Sequence, residues 1–382
     1  MNHTDAAFLE LFLLVLASVA LFATIIVQGD RRWWRLFTCL ALLVVAAIVV
    51  GDGWSRRLLL DGAVFLAALM IATRGGPEAA RAGRIYFALM VLSIVCIAGA
   101  MLLLGPGRTP LPHTGKTMIL VLIIIGFGLK LAFVPFYFWL PTVAAAASPM
   151  TTVVIVSVLD AAAFFELAHL RQAVPWVFME YRTVWIVVAL ASMYGGALLA
   201  LGQRDLKRML AFSSIDDMGY LLLGLTAGPG MGLTGALAGA FGHSLSKLLL
   251  FGAVGVAETR LGAPLTLDSR GQAARFPICS AAFIVGALAV IGIPPTCGFV
   301  GRWRLYAAGA ELGGNALVIA MMIATGVAVL YYARAIHRVW LGGTGERAAW
   351  PEARVPNLTL TLLVAVILAL GIFPAPFISV LP

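Results

Sequence analysis

The chain has 382 residues, 62% of them hydrophobic and only 11% charged, with a mean hydropathy of +1.02. A soluble domain carries about 25% charged residues, so the composition excludes a water-soluble protein and specifies a polytopic membrane protein. The formal charge of +9 does not indicate nucleic acid, because the basic residues lie in short clusters between apolar segments and form no single patch.

A spanning helix needs about 20 apolar residues, and roughly twelve such stretches follow one another along the chain. They lie near 6–28, 36–51, 58–73, 84–105, 117–140, 146–170, 182–201, 209–227, 232–257, 276–299, 313–337 and 357–380. The first lacks a basic leader, carries Asp5 and Glu10, and is long enough to span, so it reads as a helix and not a signal peptide. Arg31-Arg32 and the runs Arg74 to Arg84, Arg204 to Arg208, Arg270 to Arg275 and Arg338 to Arg354 concentrate basic charge in the odd-numbered loops. The positive-inside rule places those loops in the cytoplasm and both termini on the outer side of a cell inner membrane. Cys39, Cys96, Cys279 and Cys297 have no paired spacing and are expected as small buried hydrophobes, with no disulfide framework or iron–sulfur run.

Two apolar stretches are interrupted. The first is Lys130-Leu-Ala-Phe-Val-Pro-Phe-Tyr-Phe-Trp-Leu-Pro141, with Pro135 and Pro141 removing helix donors. The second is Gly292-Ile-Pro-Pro-Thr-Cys-Gly-Phe-Val-Gly301, with Pro294 and Pro295, followed at once by Arg302 and Arg304. Membranes tolerate broken helices only where they face protein or a cavity, and a pair of them points to a transporter built from inverted repeats.

Ionisable residues recur inside these apolar segments. A charge at membrane depth costs at least about 2.5–3.5 kcal/mol, so it marks an ion or proton path by default. Lys130 lies well inside its span and cannot snorkel to the surface. Asp61 stands near the start of its span after Arg56 and Arg57, Asp160 stands mid-span, and Glu166, closer to His169 and Arg171, is expected at the interface. His243 and Lys247 share one helix face at i and i+4. Asp216 and Asp217 point about 100° apart, so at most one of them faces a given partner. A row of acids and bases on successive helices is what a proton relay needs.

Four passages in order resemble the antiporter-like proton-translocating subunits of complex I, a superfamily shared with Mrp antiporters and membrane-bound hydrogenases. They are the two broken segments above, Asp205-Leu-Lys-Arg-Met-Leu-Ala-Phe-Ser-Ser-Ile-Asp-Asp-Met-Gly-Tyr220, and His243-Ser-Leu-Ser-Lys-Leu-Leu-Leu-Phe251. The Met-Gly-Tyr and Gly-Ile-Pro-Pro-Thr wording looks most like the subunit N group. The resemblance implies an all-α fold of two inverted five-helix repeats, each with a discontinuous helix. Residues 1–54 would be N-terminal helices, 55–175 and 176–340 the two repeats, and 341–382 a loop and last helix. It also implies that the chain begins about two spans later than typical members do, an even number that leaves the N-terminus outside.

Carried over by position, Lys130 matches the lysine of the first broken helix, Asp61 its partner carboxylate, and His243 with Lys247 the relay of the second half. Tyr137 stands where the family has histidine, Asp160 where it has lysine, and Arg302 at its terminal lysine. Arginine does not release its proton in proteins, so Arg302 would act as a fixed gate.

The resulting expectation is a proton-moving subunit of an NADH-quinone oxidoreductase-like translocase, with Lys130 switching between Asp61 and Asp160. Its partners would be the lipid bilayer and the other membrane subunits of a multi-subunit complex, further antiporter-like subunits and a redox or coupling module among them. Protons would be the transported ion, with sodium as the alternative. No cofactor is expected in this chain, which has no nucleotide fingerprint, flavin motif, haem ligand pattern or metal cluster. Alternatives from other classes are an Mrp-type cation/proton antiporter, a hydrogenase or inorganic-carbon-uptake coupling subunit, and a non-transporting scaffold.

Overall fold

The computed structural model describes residues 15–20, 22–23, 30–50, 53–105, 112–343 and 354–378. Every expected span after the first has a helical counterpart there, and the first, 6–28, falls largely outside the described residues. In chain order the helices are α1 Arg31–Val50, α2 Trp54–Ala72, α3 Gly76–Leu104, α4 His113–Lys130, α5 Trp139–Ala146 and α6 Pro149–Ala173. There follow α7 Arg182–Gly202, α8 Leu206–Ala227, α9 Met231–Leu261 and α10 Pro277–Ile291. The stretch Cys297–Ala335 is split by non-helical Gly313 and Gly314 into α11 (297–312) and α12 (315–341, including a final π-turn Ile336–Leu341), and α13 is Arg354–Ile372.

Lipid offers no partner for backbone N–H and C=O groups, so long apolar runs close their bonds within the helix. Among the described residues, eight helical stretches, with Cys297–Leu341 taken as one, are long and apolar enough to cross a bilayer, and Phe136–Ala146 and Pro277–Ile291 are shorter apolar helices. The count of about twelve is therefore not fixed by length and apolarity alone. α2 carries Arg56, Arg57 and Asp61, α8 carries Lys207, Arg208, Asp216 and Asp217, and two spans are broken.

Local chemistry sets the helix ends. Asp30 Oδ1 accepts from Arg32 and Trp33 N–H at 3.0 Å each where α1 begins. Ser148 Oγ accepts from Thr151 N–H at 3.2 Å, with Pro149 opening α6. Asp205 Oδ1 caps α8 through Arg208 N–H at 2.9 Å. The helices alternate in direction. One end of the bundle holds Arg74, whose guanidinium donates to the carbonyl of Ala147 at 2.8 Å, and the other holds the Lys116–Glu180 pair at 2.7 Å.

The two broken helices traverse the bundle in opposite directions, as inverted repeats require. α4–α5 runs from the Glu180 end to the Arg74 end, and α10–α11 runs the other way. Both breaks use one device. Ala132 (φ 54°) and Gly292 (φ 85°) take the left-handed conformation, and the next N–H, of Phe133 or Ile293, bonds back to Gly128 or Leu288 carbonyl at 3.0 and 2.9 Å. A cis peptide follows in each, Val134-Pro135 and Pro294-Pro295. Pro141 lies inside the first turn of α5, where a missing donor costs nothing, so it starts the second half-helix and is not part of the break.

α6 and α9 are buried over nearly all of their apolar length, while α3 and α13 bury less than a third of theirs. Phe87, Leu92, Val95 and Leu102 form part of the outward apolar face of α3. Cys96, Cys279 and Cys297 are buried as expected, but Cys39 faces outward because it lies on the exposed side of α1. α10 and α11 approach closely at Gly298, where a Cβ would strike the carbonyl oxygen of Ala289. Backbone cannot yield as a flexible side chain does, so Gly298→Ala should destabilise the chain by roughly 1–3 kcal/mol. A melting temperature in detergent equal to that of the parent would refute this.

Candidate functional site

At the first break α4 ends on Lys130, whose side chain is 7% exposed between two neighbouring helices. Lys130 Nζ donates to Asp61 Oδ1 of α2 at 3.1 Å and to Glu166 Oε2 of α6 at 3.0 Å. Two carboxylates thus share one ammonium. The expectation of an interfacial Glu166 fails. It lies about two helical turns in from the end of α6, and packing turns it inward, onto the lysine. Asp160, expected as the alternative partner of Lys130, instead lies within electrostatic reach of Lys247 and Tyr86 and is 2% exposed. It follows the π-turn Val154–Leu159 in α6, a distortion frequent at functional sites.

Lys247 is fully buried. Its ammonium donates to the Leu210 carbonyl at 3.0 Å and to Ser213 Oγ in a short bond. Ser213 Oγ is in turn 3.0 Å from Tyr332 OH. These partners, and Tyr331 OH donating to Asp216 Oδ2 at 3.2 Å, were not found in the sequence. The adjacent tyrosines in an otherwise apolar span were the available signal.

His243 and Lys247 do share a face of α9, but they touch different groups. Asp217 Oδ2 lies 2.7 Å from His243 Nδ1, so the ring donates from Nδ1 to the carboxylate. The other oxygen, Oδ1, accepts from Arg302 Nη2 at 2.6 Å. Arg302 also donates to the Val290 carbonyl at 2.8 Å near the end of α10, and its guanidinium lies 3.7 Å from the centre of the Tyr220 ring. Of the adjacent carboxylates, Asp217 faces this cluster and Asp216 faces Tyr331, in keeping with their 100° separation. Asp216 Oδ1, His243 Nε2 and Arg302 Nη1 are buried without a hydrogen-bond partner among the described residues. A cavity of about 10 Å³ is bounded by Asp217, Gly242, His243 and Arg302, about one water in size. Tyr137 packs its ring 6.0 Å from that of Phe212, between the halves.

The molecule therefore carries a buried ionisable axis across its middle. It runs from Asp61, Lys130 and Glu166, past Asp160, to Lys247 and then to Asp216, Asp217, His243 and Arg302.

Residues 66–328 match the family described as NADH:quinone oxidoreductase/Mrp antiporter, TM. The chain belongs to this family. A relative named NADH-quinone oxidoreductase subunit N 2, from Solidesulfovibrio magneticus, is 33% identical over 258 residues, 67% of this chain and 55% of the relative. A subunit N of Desulforamulus reducens is 29% identical over 361 residues, 90% of this chain and 75% of the relative. The chain spans about half the length of several curated relatives it matches.

Among solved structures, a chain of respiratory complex I from Thermus thermophilus with bound NADH superposes with a TM-score of 0.88 at 21% identity, covering 100% of this chain and 83% of that one. A chain of the Mrp complex from Dietzia gives 0.88 at 22% identity, covering 100% and 82%. A chain of a membrane-bound sulfane sulfur reductase, described as an archaeal respiratory membrane complex, gives 0.84 at 27%, covering 98% and 80%. These neighbours are chains of multi-subunit membrane complexes, so the antiporter-family fold seen here is one that works among other membrane subunits.

Proposed function

We propose that this antiporter-family chain moves protons across a cell inner membrane as a subunit of an NADH-quinone oxidoreductase-type complex, with both termini on the outer side. The observation that carries the reading is Lys130 at a helix break, shared by two carboxylates, at one end of the buried axis described above. A lysine held this way exchanges its proton when the carboxylate on one side moves closer or withdraws, because a neighbouring negative charge favours the ammonium. Asp160 and Lys247 link the halves, and His243 offers an imidazole for onward transfer. Arg302, permanently charged and fixed on Asp217, does not carry a proton itself. It holds the carboxylate next to His243 and closes the direct line between α8 and α11.

Subunit N relatives over two thirds of the chain support the choice of complex, and the basic loops at the Arg74 end support its orientation. Other membrane subunits and a redox module would supply the drive. The test is proton translocation by vesicles carrying the assembled complex. Asp61→Asn removes one of the two Lys130 partners and leaves Glu166, so the rate should fall about fivefold, equivalent to roughly 1 kcal/mol. A rate equal to wild type, at intact assembly and with the driving reaction running, would count against the reading. Repeating the assay without sodium separates proton movement from sodium exchange.

A further inference from the structure

Two cavities meet at Glu166. One, of about 280 Å³, lies toward the Glu180 end of the bundle, where α2 begins and α6 finishes, and is lined by Arg56, Arg57, Met101, His169 and Val174 as well as Glu166. The other, of about 130 Å³, contains Lys130 and Asp61 among apolar residues of α2 and α3. Glu166 and Arg57 line both, whereas Asp61 and Lys130 line only the second. The side chain of Glu166 is 9% exposed and is hydrogen-bonded to Lys130.

We infer that Glu166 is the port through which Lys130 exchanges its proton with the Glu180 end of the bundle, while Asp61, which lines only the smaller cavity, is its second carboxylate partner. The inference deepens the proposed function and rests on it. Chemically, the Lys130 ammonium passes a proton to Glu166 Oε2, leaving a neutral amine and a carboxylic acid. Glu166 then gives that proton to water in the larger cavity and returns to carboxylate, and the reverse order loads the lysine. The charged and titratable groups around this path are Arg56 and Arg57 from α2, His169 from α6, and Lys130 and Asp61 themselves. Arg56 and Arg57 line the larger cavity together with Glu166.

Among the described residues, Glu166 is the carboxylate that lines the larger cavity. In oriented vesicles carrying the assembled complex, Glu166→Gln should lower translocation about tenfold, and Glu166→Asp should recover part of it. In a chain with Cys39→Ser, Glu166→Cys should react with a membrane-impermeant thiol reagent added from the face that bears Glu180. Translocation by Glu166→Gln within twofold of wild type, alongside an inactive Lys130→Met, overturns the port and leaves the role of Lys130 standing. A Lys130→Met complex that pumps normally overturns the underlying reading instead. Where Glu166→Gln fails to assemble, the labelling decides, and labelling from the opposite face alone, or from neither, overturns the port.

Discussion

Lys130→Met should abolish proton translocation, lowering the rate by a factor of about 100 or more, the scale of a positioned proton-transfer group. That substitution alone is ambiguous, because it leaves Asp61 and Glu166 facing each other without the ammonium that now lies 3.1 and 3.0 Å from them. Lys130→Arg resolves the ambiguity. Arginine keeps the charge and both ion pairs but does not release its proton. Lys130→Arg should therefore assemble with near-wild-type stability and still fail to pump. The check is acidification of vesicles driven by the assembled complex, read beside the rate of the driving reaction. Pumping at the wild-type rate by Lys130→Arg would remove the lysine from the list of proton carriers and favour a purely structural ion pair. If both variants are inactive but only Lys130→Met is unstable, transfer and folding are separated.

The largest effect on stability is expected at Asp217. Its two oxygens bind Arg302 and His243 at 2.6 and 2.7 Å in a buried site beside a cavity of about 10 Å³. Removing one partner of a buried pair leaves the other charge uncompensated, at a cost of about 3–5 kcal/mol. Asp217→Ala should show that loss as a lowered melting temperature in detergent, and Arg302→Met should lose a comparable amount. Replacing both charges together, Asp217→Leu with Arg302→Met, removes the unpaired ion as well, so the double variant should be more stable than the sum of the singles predicts. Additive losses would mean that the pair does not act as a unit. Arg302→Lys tests its part in transport. A lysine there can give up a proton, so translocation that is faster than, or different in pH dependence from, wild type would identify Arg302 as a closed gate.

Membrane character, the order of the spans after the first, the two breaks and the family were legible in the sequence. Each depends on local composition or on short motifs: apolar runs set the helices because lipid leaves the backbone no other partner, and Gly-Ile-Pro-Pro or Phe-Val-Pro interrupts them wherever it occurs. The equivalence of Ala132 and Gly292 was not legible, since alanine carries no sign of a left-handed conformation. Lys130, Asp61, Asp160, His243, Lys247 and one of Asp216 and Asp217 could be singled out because a charge within an apolar run is costly wherever the run ends up.

Which of those charges touch was decided by the tertiary structure. Glu166 stands near His169 and Arg171 in the chain, and only the packing of α6 against α2 and α4 turns it onto Lys130. Asp160, six residues earlier on the same helix, lies within electrostatic reach of Lys247 instead. His243 and Lys247 are neighbours by helical period, yet α8 divides them, giving Asp217 to the histidine and Ser213 to the lysine. The sequence determined which groups must be buried, because hydrophobicity is a property of the segment. Their pairing depends on the rotation and depth of separate helices, which no residue encodes alone and which the packing of the whole bundle fixes.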